Sequence, residues 1–308
     1  MRLIKETTDI SLKGITIALG YFDGVHIGHK KLIEEIVYSA KKHNTSSCVW
    51  SFSNRPENIL KDNFDIKNIT TIEDKAEIFQ DLGVDIFFIE DFTKVKDLSP
   101  IEFIENILIK KFSPRLIVCG FNFRFGKNGL GDAQLLKDYF KNTETKVKII
   151  SPISVENTVV NSTGIRKLIE NGDMETAALH LGHQFFINLT VDKGNKIGTK
   201  IGFPTINQKI PINHIVPQKG VYAVSCYIND EPYLGVCNIG NKPTLSNSEA
   251  LTSETHILNF NQKLYGEKIK VCFFKKLRDE KKFDSLDMLR DAIRKDIENT
   301  REYFNLYY

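Results

Sequence analysis

The stretch Ile17–Glu35, IALGYFDGVHIGHKKLIEE, decides the fold of the first half of the chain. An apolar run from Ile15 to Leu19 passes through a glycine-containing turn, and from Lys30 onward the spacing predicts a helix. The turn carries His26 and His29, separated only by Ile27 and Gly28, and so places both near a helix N-terminus. Unpaired N–H groups and the positive end of the helix dipole make such a place attractive to anions. Imidazoles three residues apart lie on one face of the first turn, where both can donate to the same phosphoryl group, and Gly28 keeps the approach open. Chemistry at an α-phosphate needs charge stabilisation on equatorial oxygens more than a covalent partner, and paired donors supply it. Two such histidines are also common as ordinary polar residues at a helix start; their place behind the first strand of an α/β half favours the phosphate site.

Outward from this stretch, strand-like and helix-like segments alternate up to about Ile150: ITIALG, a helix from Lys30, CVWSF, a helix around Glu73 to Leu82, DIFFIE, a helix from Pro100, RLIVCG, a helix around Gln134 to Phe140, and KVKII. Such alternation predicts a parallel sheet with helices on both faces, in which ligands bind beyond the carboxyl ends of the strands. The segments GYFDGVHIGH, SFSNRP and CGFNFRFG each follow such a strand and are expected to converge there. Two short helices follow, STGIRKLIENG, with Ser162 or Thr163 as N-cap and Gly172 as stop, and METAALHLG.

After Gly182 the texture changes. Strand-like segments punctuated by Gly, Pro and Asn predict a small antiparallel barrel, closed by one amphipathic helix from about Leu286 to Phe304. The expected domains are therefore 1–182 and 183–308, within a chain of 308 residues whose length alone suggests two. There is no internal repeat and no low-complexity linker.

The 42 basic and 39 acidic residues nearly balance, so nothing points to a nucleic-acid or membrane partner. Five cysteines stand singly in mostly apolar runs, with no C-x-x-C, and read as buried free thiols of a reducing compartment. The N-terminal MRLIKETTDI lacks the apolar core of a secretory signal, and no apolar run approaches bilayer length. The expected location is the cytoplasm.

The second half has no G-x-x-x-x-G-K-[ST] motif. It does have GNKIGTKIGFPTIN, in which Gly194, Gly198 and Gly202 recur every four residues beside Lys196 and Lys200. These can form a basic loop over polyphosphate, or can simply punctuate turns of a barrel. Thr205 and Asn207 in FPTIN point to one side if extended; a hydroxyl and an amide oxygen are hard ligands suited to Mg²⁺, and are equally common as caps of a Pro-initiated turn.

The motifs GYFDGVHIGHKKLI, CGFNFRFGKNGLGD and NSTGIRKLIENGDMETAALHLG, in this order, resemble the adenylyltransferase half of the prokaryotic bifunctional riboflavin kinase/FAD synthetases. GFPTIN, GVYAV, NIGNKPT, ETHILNF and LYGEKIKVCFFKKLRDEKKFDSLDML resemble the flavokinase half, and together the two resemblances span about Ile15 to Phe304. They imply a Rossmann-like nucleotidyltransferase domain followed by a six-stranded flavokinase barrel. His26 and His29 would stabilise the ATP phosphates while the FMN phosphate attacks the α-phosphorus. Gly20, Phe22, Asp23 and Gly24 would shape the adenosine and phosphate pocket, Asn122 would make a polar contact, and Ser162, Thr163 and Arg166 would form the loop that closes over the phosphates. In the flavokinase half, Thr205 and Asn207 would help hold MgATP, and Glu254 would be the general base for the riboflavin 5′-hydroxyl. Gly194, Gly198, Lys200, Gly202, Pro204 and Arg278 would contribute to its ATP and flavin sites.

The implied cofactor is Mg²⁺, and the implied partners are riboflavin, FMN and ATP, with at most weak self-association. Two departures stand out. FSNRP, with Arg55, replaces the common F-x-P-H-P, and Asn259 replaces the aspartate of H-I-L-D-F. Arginine still pairs with phosphate but cannot share a proton as histidine does. The competing readings are a riboflavin kinase with a weakened adenylyltransferase half, and a flavin-binding regulator that needs no general base. Aminoacylation of tRNA, which H-x-G-H also allows, would want a basic surface that this composition lacks.

Overall fold

A computed structural model of the chain describes residues 1–5, 12–60, 65–194, 197–242 and 250–307. Its contacts divide into two units, Met1–Ser162 and Thr163–Tyr308. The helices Ser162–Glu170 and Met174–Leu181, grouped with the first domain in the sequence reading, thus fall in the second unit from Thr163 onward.

The first unit is built on strands β1 (Arg2–Lys5), β2 (Thr16–Leu19), β3 (Ser47–Phe52), β4 (Ile86–Glu90), β5 (Leu116–Gly120) and β6 (Lys146–Ile150). They form one sheet in the order β1-β4-β3-β2-β5-β6, and every pair is parallel. Burial of β2 on both faces explains its unbroken apolar run: Ile17 and Leu19 join the cluster of Trp50, Phe88 and Phe112 on one side, and Ala18 joins that of Ile33, Ile36 and Phe79 on the other. Helices Ile27–His43 and Ile72–Asp81 supply the second cluster; the π-helical segment Phe103–Phe112 and helix Ala133–Tyr139 supply the first. Strand β1 has no counterpart in the sequence reading. It is a short edge strand with Ile4 as its one buried residue, too brief for a periodic signal.

From β2 the chain steps outward through β3 to β4 and then returns to place β5 on the other side of β2. The order reverses there, so the crevice lies beyond the carboxyl ends of β2 and β5.

The second unit carries strands β7 (Phe185–Thr190), β8 (Ile206–Lys209), β9 (Gly220–Ile228), β10 (Glu231–Lys242), β11 (Ala250–Ile257) and β12 (Lys268–Arg278). Their order is β7-β12-β9-β10-β11-β8, antiparallel throughout. The two outer strands meet: Asp192 N donates to Asn207 O at 2.7 Å, and the buried Gln208 donates through Nε2 to Leu189 O and Ile269 O, both at 2.7 Å. Closure satisfies edge groups that an open sheet would expose. The terminal helix, Leu286–Tyr307, packs on β9, β10 and β12. All five cysteines are buried and free, and among the described residues no helix is long and apolar enough to cross a membrane.

Candidate active sites

In the first unit the helix after β2 begins at Ile27, ahead of the expected Lys30, because His26 caps it. The His26 Nδ1 accepts from His29 N at 3.3 Å, and the two imidazoles stack with centroids 3.5 Å apart and planes 18° from parallel. Gly28 makes that stack possible, since a Cβ there would lie 3.1 Å from the His26 ring. The turn before the cap is unusual: Phe22 and Val25, neither of them glycine, have φ of 56° and 40°. Non-glycine residues adopt such angles only where the surroundings hold them. Phe22 is fully buried, its ring 5.2 Å from that of His29 and 5.9 Å from that of Phe79.

His29 Nδ1 is buried without a hydrogen-bond partner. Burial first, then the neighbouring His26 and Lys75, hold the His29 pKa well below the usual histidine value, so the ring is neutral at pH 7. A neutral imidazole offers one N–H and one lone pair, so His29 can act as a hydrogen-bond donor through one ring nitrogen.

Asp23 is 2% exposed, accepts from Ile69 N at 2.9 Å and Thr70 N at 3.3 Å, and is ion-paired with Arg55. Gly24 N donates to Thr70 Oγ1 at 3.0 Å, and Ser162 Oγ donates to Asp23 O at 2.9 Å. Phe22, Asp23, Gly24, Ser162 and the histidine pair therefore belong to one constellation, and Gly20 lies against it, since a Cβ there would be 3.1 Å from the Phe22 ring. Asn122 lies exposed just beyond β5, beside the exposed Phe121, on the other flank of the switch point. Thr163 and Arg166 lie on helix Ser162–Glu170; Ser162 is the first residue of that helix rather than its cap.

The sequence reading missed Tyr21, Asn68, Thr70 and Lys75. Lys75 is 2% exposed, donates to Tyr21 O at 2.8 Å, and holds its ammonium 3.8 Å from the Tyr21 ring centre. In sequence it is one more charge in IEDKAEIFQD, where the legible signal is the Thr71–Asp74 capping box.

In the second unit Asn207, Glu254 and Asn238 are direct cross-strand partners on β8, β11 and β10. Residues opposite one another in antiparallel strands share a face, so these three form a row. Their strand neighbours Gln208, Ser253, Thr255 and Cys237 are buried in the barrel, with Cys237 Sγ 3.2 Å from Ser253 Oγ. The row is thus on the outer face. Above it a cavity of about 330 Å³ is lined by Gly198, Thr205, Glu254 and Arg278, with apolar walls from Phe203, Val236, Phe283 and Ile293. A second opening, about 720 Å³, is lined by Lys193, Asn207, Lys209, Thr252 and Tyr265.

Arg278, which could have been one of an exposed run of charges, is part of the cavity wall. Its Nε and Nη2 donate to the carboxylate of buried Asp296 at 3.0 and 2.8 Å, fastening the end of β12 to the terminal helix. Glu280 accepts from Asn238 Nδ2 at 3.2 Å and also lines the cavity. The glycine-rich segment is a tight turn at its centre: Phe203 N donates to Gly198 O at 2.8 Å, Gly202 has φ of 90°, and a Cβ on Gly198 would overlap the Phe203 carbonyl oxygen. A Cβ on Gly194 would overlap the Asn207 amide. Lys200 is exposed, Pro204 O is 2.8 Å from His256 Nδ1, and Lys196, Pro243 and Thr244 lie outside the described residues. Asn259, exposed with φ of 57°, occupies a left-handed position that both Asn and Asp tolerate.

Comparison with known proteins matches residues 9–164 to the FAD synthetase family model and residues 181–304 to the riboflavin kinase family model. A bifunctional riboflavin kinase/FMN adenylyltransferase of Buchnera aphidicola (subsp. Schizaphis graminum) is 39% identical over 94% of this chain and 94% of its own length. The protein of that description in Bacillus subtilis is 36% identical over 98% of this chain and 95% of its own length. A solved structure described as a macrolide-efflux protein from Streptococcus pneumoniae superposes with a TM-score of 0.88 at 31% identity, over 98% of this chain and 99% of that one.

Proposed function

The chain belongs to the bifunctional riboflavin kinase/FMN adenylyltransferase family, and from that premise we propose how its two units divide flavin cofactor synthesis. The second unit phosphorylates riboflavin with ATP to give FMN and ADP. The first transfers AMP from a second ATP onto FMN, releasing pyrophosphate and FAD. The observation that carries this reading is the cavity of the second unit, where Thr205, Glu254 and Arg278, far apart in sequence, line one apolar-walled space.

The apolar cavity suits a flat isoalloxazine ring, and the opening lined by Lys193, Lys209 and Tyr265 suits a nucleoside triphosphate. Glu254 faces the first and is the cross-strand partner of Asn207, which lines the second. We assign Glu254 as the base that takes the 5′-hydroxyl proton as the oxygen attacks the γ-phosphorus. Arg278, held rigid by Asp296, shapes the flavin end.

Mg²⁺ fits the donor set: Thr205 and Asn207 offer neutral hard oxygens. When bound with ATP it would neutralise polyphosphate charge.

In the first unit His26 and His29 donate to the α-phosphoryl oxygens, and the family pattern assigns Asn122, Ser162, Thr163 and Arg166 to the same reaction. Five unpaired, buried cysteines support a cytoplasmic location.

The test is an incubation of the purified chain with riboflavin, ATP and Mg²⁺, products separated over time, beside a parallel run started from FMN. FMN followed by FAD is expected, with FAD in both runs. FMN that accumulates without FAD in either run leaves a riboflavin kinase alone; flavin bound stoichiometrically without ATP consumption leaves a binding protein.

Gly198→Ala should lower riboflavin phosphorylation by about tenfold or more, because the added methyl pushes the Phe203 carbonyl, and with it the Phe203 to Thr205 wall, out of place. FAD formation from supplied FMN should be unchanged, and the two assays on one preparation check both halves of the statement.

A further inference from the structure

We propose that Arg55, at the position where the family pattern has histidine, is a positioning residue of the adenylylation site: it clamps the turn that aims His26 and His29, and it does not bind phosphate. The inference rests on the reading of the first unit as the FMN adenylyltransferase.

Arg55 is 5% exposed, although it follows a strand in a polar segment. Its Nη2 pairs with the Asp23 carboxylate, and its Nε and Nη2 donate to Asn68 Oδ1 at 3.1 and 3.0 Å. Its Nη1 lies 3.7 Å from the Glu57 carboxylate. Tyr21 completes the group, donating its hydroxyl to the same Asn68 oxygen at 3.0 Å and carrying the guanidinium 4.7 Å from its ring centre. Two of the three guanidinium nitrogens are engaged, by the buried Asp23 and the half-buried Asn68, and the third faces a carboxylate. A phosphate would have to displace an ion pair that is already desolvated, and removing one partner of such a pair strands a buried charge.

What Arg55 holds is the turn. Asp23 lies between the left-handed Phe22 and Gly24, with Val25, also left-handed, next in the chain before the cap His26. Asp23 is secured by Arg55 on one carboxylate oxygen and by Ile69 N and Thr70 N on the other. A strained turn keeps its shape only while such contacts over-determine it. Tyr21, next to this turn, carries both Arg55 and Lys75 against its ring, and its carbonyl accepts from Lys75. An imidazole lacks the fork of donors needed to reach Asp23 and Asn68 together. The histidine of the family pattern is therefore not an equivalent of this arginine.

Steady-state FMN adenylylation by the full chain tests the proposal, with Arg55→His, Arg55→Lys, Asp23→Asn and the Asp23→Asn/Arg55→Gln pair. Each single variant should lower kcat by about a hundredfold, the scale of a misplacement of about 1 Å, while KM for ATP stays within about twofold. Riboflavin phosphorylation should not change. The double variant, which removes both charges of the buried pair, should melt near the wild-type temperature yet remain as slow as the worse single variant, so that loss of stability cannot account for the loss of rate. The proposal is overturned by a large rise in KM for ATP with kcat intact in Arg55→His, by full activity in Arg55→Lys, or by a double variant restored to wild-type turnover. A wild-type chain that forms no FAD from FMN overturns the reading of the unit itself, and the proposal with it.

Discussion

His29→Ala lowers FAD formation by about a thousandfold and leaves riboflavin phosphorylation nearly intact; this is the largest effect expected in the first unit. The ring is held on three sides, by the stack with His26, the edge of Phe22 and the first helical turn, so its position is set before substrate arrives. It is neutral, and one ring nitrogen has no partner in the protein. A preorganised donor aimed at charge that develops in the transition state is worth about 10²–10³ in turnover. The stacked His26 would also lose its support, so the loss should fall at the upper end of that range. Methyl replaces a ring in an otherwise unaltered unit, and riboflavin phosphorylation in the same tube serves as the internal control. Equal loss of both activities would refute the division of labour between the units, and FAD formation within about threefold of wild type would remove His29 from any role in charge stabilisation.

Glu254→Gln should do the reverse. The substitution nearly keeps the size and shape of the side chain in the row Asn207, Glu254, Asn238, and removes its charge and with it the capacity to take a proton. Positioned general bases contribute about 10²–10⁴-fold, and the 5′-hydroxyl becomes acidic only as it attacks, so the loss should appear in kcat with little change in KM for riboflavin. FMN supplied directly should be adenylylated at the wild-type rate. Riboflavin turnover unchanged by Glu254→Gln would withdraw the base assignment while leaving the cavity as a flavin site.

Both predictions depend on a division of the chain that sequence and structure draw somewhat differently. The change of texture after Gly182 marks where strand patterning alters, whereas contacts assign everything from Thr163 to the second unit. Helix Met174–Leu181 packs on β7 and β12, and Gln218 N donates to Ile169 O at 3.3 Å. The family models end within the first of these helices, at residue 164, and resume at the last residue of the second, 181. Periodicity identifies a helix but carries no record of which neighbour it packs against.

The sequence by itself determined the two architectures. Unbroken apolar runs alternating with amphipathic segments are dictated by burial on both faces of a parallel sheet, and period-two patterning with Gly, Pro and Asn turns by burial on one face of a barrel. H-x-G-H behind the first strand was legible because helix N-termini are written in local sequence. Only the tertiary structure decided that Arg55 is turned inward onto Asp23, that Lys75 is buried beside Tyr21, that Arg278 is tied to Asp296, and that Gly198 sits in a turn too close to Phe203 for any side chain. Each of these pairings joins residues that local patterning cannot relate, or depends on a close approach of backbone that composition does not record. A charged side chain has the same letter whether it faces water or a buried counter-charge, and which it meets depends on how separate elements pack.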